Sequence, residues 1–281
     1  MQLAPLWFTL ITFIVALGAG VLGSLLGLGG GLIVIPALTL LFHIDIRYAI
    51  GASIVSVIAT SSGAAAAYVR ERMTNLRVAM LLEVGTTAGA IAGATITGFL
   101  NKSALFVIFG SIMMLSAVLM LRKRREHLSL SRKTDPVSDR LRLHDSYFDE
   151  SQQREVAYHV EHPILGLLMM IVAGCVSGLL GVGSGVLKVP AMDLAMKLPI
   201  KVSTATSNFM IGVTAAASAG VYFARGDINP YIAGPVAAGV MIGATAGSRL
   251  LGRLKNNFIR TLFVIVLLIV SIQMLLKGFG R

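Results

Sequence analysis

Charged residues and cysteine are both scarce in this sequence. Only 13% of its 281 residues are charged, whereas soluble domains carry about a quarter. Cys175 is the single cysteine, so neither a disulfide within one chain nor a cysteine metal cluster can form. The five histidines have no metal-ligand spacing, and no catalytic triad or carboxylate pair lies within an apolar run. We therefore expect no enzyme, no metal site and no cofactor.

Apolar residues, in contrast, are abundant and occur in long runs. They make up 56% of the chain, and a helix needs about 20 in succession to cross a membrane. Runs of about that length are Leu6–Leu22, Ile50–Val69, Val78–Leu100, Ala104–Leu121, Ile164–Leu180, Ser203–Ala224, Ile232–Leu251 and Phe258–Leu276. Two further runs, Leu32–Phe42 and Val186–Met196, are too short to cross alone. The sequence predicts an all-α polytopic membrane protein in a lipid bilayer.

The first apolar run resembles a permanent span more than a removable signal peptide. No basic residue precedes it, and no small-residue cleavage site separates it from a soluble domain. A secretory signal would have both a basic residue before the run and a small-residue cleavage site after it. We therefore expect residues 1–22 to remain in the membrane.

The chain also contains an internal repeat. The segment GSLLGLGGGLIVIPAL from Gly23 matches SGLLGVGSGVLKVPAM from Ser177, and the same offset holds through the following helices. One register kept over such a length indicates a duplicated unit. We predict a first transmembrane repeat at 1–121, a charged linker at 122–162 and a second transmembrane repeat at 163–281.

Basic residues indicate how the two halves are oriented, because they tend to remain on the cytoplasmic side. Outside the linker, five membrane segments per half place nine Lys and Arg residues on the linker's side and five on the other. Four segments per half would place six and eight. The first arrangement collects more basic residues on the linker's side, so we adopt it. It predicts inverted repeats in the inner (cytoplasmic) membrane, each with a broken or half-membrane helix after a glycine-rich turn.

The linker is nearly neutral and is expected to lie in the cytoplasm. It holds nine of the 24 basic and eight of the 13 acidic residues, so the formal charge of +11 is spread over short loops. That distribution orients spans, and we expect no nucleic-acid partner. We expect a solvated linker with short helices around Leu141–Glu155; regulation by a partner is the alternative.

Glycines interrupt the apolar runs at matching places in both halves. With one serine, they are Gly27, Gly29, Gly30 and Gly31 in the first half and Gly181, Gly183, Ser184 and Gly185 in the second. Short helices that begin at such breaks present N–H groups and positive dipole ends near the midplane, where they favour an anion. Close helix packing through small residues is the alternative. A phosphate-binding P-loop is excluded, because no Lys–Ser or Lys–Thr pair closes either run.

Lys188 follows the second glycine run, where the first half has Val34. An ammonium group in hydrocarbon is energetically unfavourable, and such residues usually have a function. We therefore expect Lys188 to bind the anion; extension of its side chain to the membrane surface is the alternative. Ser53, Ser207 and Asn208 carry donors suited to replacing an anion's hydration, and hydrogen bonds between helices are the alternative.

Glu83 is the other ionisable residue within a long apolar span. It is a candidate proton-relay carboxylate that couples transport to the proton gradient. The alternative is an ion pair near the membrane surface with Arg70, Arg72 or Arg77.

The doubled motif resembles a known family. GLGGGLIVIPAL followed by GAS, and GLLGVGSGVLKVPAM followed by TSNFMIGVTAAAS, are similar to segments of the TauE/SafE family of anion permeases, and the resemblance covers essentially the whole chain. The family's prolines fall on Pro36 and Pro190. This sequence departs from the pattern at Ser184, where a third glycine is usual, and at Lys188, where a hydrophobic residue is common in relatives.

The resemblance implies a transporter of sulfite, sulfonates or other sulfur-containing anions. We therefore predict a secondary transporter of a small anion, since no nucleotide-binding motif supports primary active transport. An anion channel and a non-transporting membrane scaffold or assembly protein are the alternatives. The many Gly and Ala residues of 78–100 and 232–251 permit tight packing within one chain or in a homodimer.

Overall fold

The structure is a computed structural model that describes residues 5–122, 135–183, 185–251 and 253–280. The first helices are α1 (Pro5–Leu26), α2 (Gly31–Pro36), α3 (Ile46–Arg70), α4 (Leu76–Thr97) and α5 (Lys102–Arg122). In the linker are α6 (Pro136–Arg140) and the strands β1 (Asp145–Asp149) and β2 (Arg154–Tyr158). The remaining helices are α7 (Pro163–Leu180), α8 (Gly185–Pro190), α9 (Ile200–Ala224), α10 (Pro230–Leu251) and α11 (Asn256–Gly278).

Six of the described helices are long and apolar enough to cross a membrane, namely α1, α3, α4, α7, α10 and α11. Large apolar side chains such as Trp7, Val84 and Ile164 are more than half exposed on these helices. A soluble protein seldom exposes apolar surface on this scale, whereas lipid covers it in a membrane. The predicted all-α polytopic membrane fold is confirmed.

α2 does not cross the membrane. Pro36 lacks an amide hydrogen and breaks the α-helical register, and the next five residues, Ala37–Leu41, form a π-helical turn. The ring of Phe42, directly after this turn, lies 5.2 Å from the ring of Phe8 near the start of α1. The segment therefore returns to the side of the bundle on which α1 begins.

α8 follows the same course in the second half. Pro190 precedes a π-helical turn over Ala191–Ala195. The carbonyl of Met196 then accepts a 3.1 Å hydrogen bond from the amide of Glu161, just before α7. Both short segments are thus re-entrant, which agrees with the half-membrane helices predicted from their length.

Four consecutive elements of each half begin and end at corresponding residues. α2, its π-helical turn, α3 and α4 each lie 154 residues before α8, its π-helical turn, α9 and α10. This is the offset at which the glycine runs align. The duplication itself remains a prediction from the sequence, as do the boundaries of the two repeats.

Helices from the two predicted repeats interlock. α1 packs along α10, where the carbonyl of Leu17 faces Gly243, and α4 packs along α7, where the carbonyl of Ala90 faces Gly178. α10 also packs on α3, and α4 on α9. We call α1, α3 and α10 packing group A and α4, α7 and α9 packing group B. The two groups meet where α3 packs on α9, and α5 pairs with α11.

One face of the bundle is covered by the linker and is called the linker face. Lys201, at the start of α9, pairs with Asp149 of β1, and Arg253, after α10, pairs with Glu150. These two basic residues belong on the linker's side if each half has five membrane segments. Four segments per half would place them on the other side.

The opposite face carries its own contacts between helix ends. Lys102, at the start of α5, pairs with Asp45, which caps the start of α3. Arg225, after α9, donates a 2.9 Å hydrogen bond to the carbonyl of Ala94 near the end of α4. The start of α3 and the ends of α4 and α9 therefore share this face.

The linker contains a β-hairpin where we expected short helices, so that expectation is wrong. β1 and β2 pair antiparallel. Tyr147, Asp149, Val156 and Tyr158 are buried, and the residues between them are exposed or nearly so. Burial of every second residue is the period of a strand, and Tyr, Phe and Val favour strands.

The hairpin is packed on the helical bundle. Its buried side chains form a hydrophobic cluster with residues of α4, α7 and α9. Nδ2 of Asn75, just before α4, donates to the carbonyl of Leu143 at 2.8 Å and to the hydroxyl of Tyr158 at 3.0 Å. The described part of the linker is therefore a folded cap and not the solvated segment that we expected.

A buried ion pair fastens this cap to α9. Lys201 Nζ and Asp149 Oδ1 lie 2.7 Å apart, and both side chains are fully buried. Burial alone would raise the pKa of Asp149, but hydrogen bonds from Lys201 and Ser151 outweigh it and hold that pKa below its usual range.

Candidate functional site

The two glycine-rich turns meet in the centre of the bundle. They connect α1 to α2 and α7 to α8. Positive φ angles of 66° to 75° occur at Gly27, Gly29, Gly30, Gly181 and Gly183. Side chains strongly disfavour this left-handed conformation, which explains the run of glycines in each turn. Ser184 lies outside the described residues.

Space excludes a side chain at the two glycines that begin the re-entrant helices. A Cβ at Gly185 would lie 2.8 Å from the carbonyl carbon of Gly27 and 2.8 Å from Cα of Leu28. A Cβ at Gly31 would overlap Oγ of Ser53. The start of each re-entrant helix therefore touches a residue of the other turn or of α3.

Two buried serines connect the packing groups through these turns. Ser53 on α3 donates a 2.6 Å hydrogen bond to the carbonyl of Gly181, and Ser207 on α9 donates one of 2.8 Å to the carbonyl of Gly27. Both hydroxyl protons are thus directed at the protein backbone in this conformation. Their predicted role in anion binding remains a prediction.

Asn208 lies beside Ser207. Its Nδ2 donates a 2.7 Å hydrogen bond to the carbonyl of Ser24 on α1. Its Oδ1 is buried and has no hydrogen-bond partner among the described residues. The side-chain amide of Asn208 therefore helps to hold α9 against α1, and its contact with an anion remains a prediction.

Lys188, Glu83 and Thr214 form a charged cluster between α8, α4 and α9. Lys188 is 0% exposed, and its Nζ donates a 2.6 Å hydrogen bond to Thr214 Oγ1. Thr214 Oγ1 in turn donates to Glu83 Oε1 at 2.6 Å, and Thr87 donates to the same oxygen at 3.1 Å. Lys188 Nζ and Glu83 Oε2 lie 3.6 Å apart.

The charged cluster decides two of the alternatives raised by the sequence. Lys188 is directed into the bundle, so its side chain does not extend to the membrane surface. Glu83 pairs with Lys188, which corrects the expectation of an ion pair with Arg70, Arg72 or Arg77. A buried carboxylate is stabilised most by an opposite charge close by, and here that charge comes from α8.

Only part of the predicted site is assembled around this cluster. The structure brings Lys188 and Glu83 together beside the second glycine turn. No hydrogen bond joins Ser53, Ser207 or Asn208 to either of them among the described residues. The cluster also belongs wholly to packing group B and to α8, which packs on α9.

Thr214 was missed by the sequence reasoning. A usable signal existed, because Thr60 occupies the corresponding position 154 residues earlier. Thr60 Oγ1 donates to the carbonyl of Gly29 at 3.0 Å. The charges, in contrast, have no counterpart: Val34 and Ala237 stand where the second half has Lys188 and the first has Glu83.

A separate cavity of about 600 Å³ lies at the linker face, between the α3–α4 loop and the hairpin. Glu71, Arg72, Arg77 and Asp145 are among its lining residues. Burial and the nearby charge of Glu150 raise the pKa of Glu71. None of the residues predicted for the site lines this cavity.

Comparison with known proteins identifies transporters. A sequence model of the family described as "Sulfite exporter TauE/SafE" matches residues 12–274. The probable membrane transporter protein YunE of Bacillus subtilis (strain 168) is 27% identical over 275 residues, which cover 95% of this chain and 97% of YunE. The probable membrane transporter protein YdhB of the same strain is 27% identical over 231 residues, 82% of this chain and 85% of YdhB. No solved structure matches.

Proposed function

Because the chain belongs to the sulfite exporter TauE/SafE family, we propose that it is a secondary transporter that carries a small sulfur-containing anion across the cytoplasmic membrane. Sulfite and sulfonates are the proposed substrates. The observation that carries the proposal is the fully buried ammonium of Lys188. Ionisable residues inside a membrane protein mark binding sites and ion pathways, so Lys188 is the proposed anion ligand.

The number of donors on Lys188 supports this role. An ammonium group has three N–H donors. One is used by Thr214, and the nearest carboxylate oxygen, Glu83 Oε2, lies beyond hydrogen-bond distance at 3.6 Å. An anion with several oxygens, as in a sulfite or sulfonate group, can accept from the other donors when the cluster opens.

The packing groups, rather than the sequence halves, are the proposed moving bodies. Rocking of the halves would pull α1 from α10 and α4 from α7, where glycines allow close backbone contact. Movement of group A against group B preserves both contacts. The hydrogen bonds from Ser53 to Gly181 and from Ser207 to Gly27 join the groups and would change with each transport step.

The linker face is proposed to lie in the cytoplasm. Support comes from the basic residues, since Lys201 and Arg253 contact the linker and so share its side. The cytoplasmic side of a membrane protein collects Lys and Arg in its short loops. The inner membrane is the corresponding location of the protein.

Full burial of Lys188 favours a carrier over an anion channel. A channel binds its ion in a continuous pore, whereas an alternating-access carrier encloses its site. A scaffold or assembly protein would need no such charge. The charged cluster therefore favours transport over a role in packing alone.

Thermal stability of the purified protein tests the proposal directly. It is measured against sulfite, thiosulfate, sulfate, sulfoacetate and chloride, because a ligand that binds only the folded state stabilises it. At about 100 times its Kd an anion adds about 2.7 kcal/mol. The variant Lys188→Met with Glu83→Gln removes both charges together and leaves neither unpaired. Lys255→Met, an exposed lysine on the linker face, is the matched control.

The expected result is stabilisation of the wild type and of Lys255→Met by one sulfur anion, and none in the double variant. Uptake of that anion into proteoliposomes that saturates with anion concentration would then identify a carrier. A conductance that does not saturate would identify a channel. If no anion stabilises the folded protein and none is taken up, the proposal is wrong and a scaffold remains.

A further inference from the structure

Glu83 and a transported anion compete for the same ammonium. In the described conformation Lys188 carries the one positive charge within 4 Å of the Glu83 carboxylate among the described residues. Glu83 Oε1 accepts from two threonine hydroxyls, whereas Oε2 is buried and has no hydrogen bond within the described part of the chain. The carboxylate is thus held mainly from one side.

With Lys188 and Glu83 both ionised, the site has a net charge of zero before the substrate binds. Lys188 contributes one positive charge and Glu83 one negative charge. If an anion binds Lys188 while Glu83 stays ionised, two negative charges share one ammonium in a site that is 0% exposed at Lys188 and 13% exposed at Glu83. Like charges held this close shift one group to its neutral form.

We propose that Glu83 binds a proton when the anion takes its place on Lys188, so that the protein moves one anion together with one proton. The balance is simple: the empty site holds an ammonium and a carboxylate, and the loaded site holds an ammonium, the anion and a carboxylic acid. For a substrate with a single negative charge, both states are neutral. This inference rests on the proposed function, since it concerns the same site.

Thr214 is the positioning residue of this exchange. Its hydroxyl accepts from Lys188 and donates to Glu83, and it lies 3.1 Å from the carbonyl of Met210, one helical turn earlier. When Glu83 becomes protonated it no longer needs that donor, and the hydroxyl can turn to the Met210 carbonyl. The threonine bridge between Lys188 and Glu83 is thereby opened, and the hydroxyl keeps a hydrogen-bond partner.

Glu83 is the acidic group of the charged cluster and therefore the proposed proton carrier. Val34 and Ala237 occupy the corresponding positions in the other half, so the pair is not duplicated there. Other titratable side chains on α7, the second π-helical turn and α9 are Cys175, Asp193, Lys201 and Tyr222. Of these, Lys201 is paired with Asp149 at the linker face, and Tyr222 donates to the carbonyl of Gly178.

Proteoliposomes that contain the full chain test the inference, with sulfite and methanesulfonate as the probes. Methanesulfonate keeps a single charge over the pH range used. An inward proton gradient of one pH unit is expected to accumulate methanesulfonate about tenfold at zero membrane potential. With 1:1 coupling, the ratio of internal to external anion at equilibrium equals the ratio of external to internal protons. Glu83→Gln is expected to lose this accumulation, and any exchange of internal for external anion that it retains should be independent of the pH gradient. Glu71→Gln, at the linker face, is the matched control and is expected to respond like the wild type.

The outcomes separate the two proposals. Proton coupling is refuted if anion flux in the wild type does not depend on the pH gradient, or if Glu83→Gln accumulates as much anion as the wild type. Either result leaves the proposed transport function standing. Absence of flux for both probes in the wild type overturns the proposed function itself. If Glu83→Gln does not fold, calorimetry of the wild type in buffers of different ionisation enthalpy replaces it. Uptake of one proton per methanesulfonate bound is expected, and binding without proton uptake refutes the inference.

Discussion

The substitution Gly185→Ala tests the crossing of the two glycine turns, because it adds one carbon at their closest approach. The new Cβ would lie 2.8 Å from both the carbonyl carbon of Gly27 and Cα of Leu28. Carbon atoms pack best about 3.5–4.0 Å apart, so each contact is too short by roughly 0.7–1.2 Å. The carbonyl oxygen of Gly27 is closer still, and all three neighbours are backbone atoms, which cannot rotate away as a flexible side chain can.

Two opposing effects determine the magnitude for Gly185→Ala. Alanine favours a helix over glycine by about 1 kcal/mol, whereas overpacking of a tight core destabilises it by about 1–3 kcal/mol and by more when backbone must move. The overlap involves three backbone atoms, namely the carbonyl oxygen and carbon of Gly27 and Cα of Leu28, so we expect a net loss of at least about 2 kcal/mol. Gly220→Ala on α9 is the matched control, since no atom lies within 4 Å of its added carbon.

Melting of both variants in the same detergent measures the difference. A change of about 1 kcal/mol moves the melting temperature of a domain of this size by about 2–4 °C. Gly185→Ala should therefore melt at least about 4 °C below the wild type, and Gly220→Ala at or slightly above it. Equal melting temperatures for the two variants would refute the contact between the turns.

Three further predictions concern the linker and the two faces. Lys201→Met leaves Asp149 buried without its partner and should reduce the free energy of unfolding by about 3–5 kcal/mol; adding Asp149→Asn should restore part of it in the same melts, and no restoration contradicts the pair. Since the pKa of Asp149 is lowered in the folded state, its contribution is complete above the unfolded pKa of about 3.9 and is lost as pH falls through the lower folded value. Stability measured towards acid pH should thus fall more steeply in the wild type than in Asp149→Asn. In a Cys175→Ser background, Glu150→Cys and Lys102→Cys should react with a membrane-impermeant maleimide from opposite sides, and reaction from one side disproves the two faces.

The helices could be predicted because the bilayer constrains them strongly. The run Val78–Leu100 became α4 at Leu76–Thr97, and the run Leu32–Phe42, too short to cross alone, became α2 and its π-helical turn. The hairpin could not be found in this way. Its alternation spans five residues per strand, and the apolar surface that buries Tyr147 comes from helices far away in the sequence.

The charged cluster shows a different limit. Lys188 and Glu83 were each identified as ionisable residues within apolar spans, but 105 residues separate them. Their pairing depends on α4 of the first repeat packing beside α8 and α9 of the second, which no local pattern encodes. The half-to-half alignment gave no help either, because Val34 and Ala237 carry no charge.

The interlocked packing of α1 with α10 affects how the protein is made. Ribosomes add about 5–20 residues per second, and 225 residues separate the end of α1 from the end of α10. α1 therefore waits roughly 10 to 45 s in the membrane before its partner is complete. Only 83 residues separate the end of α4 from the end of α7, so α4 waits a shorter time for its partner. Assembly should begin with α4 and α7, and a chain truncated before residue 230 should expose the glycine-bearing side of α1 to lipid and to the quality-control proteases of the membrane.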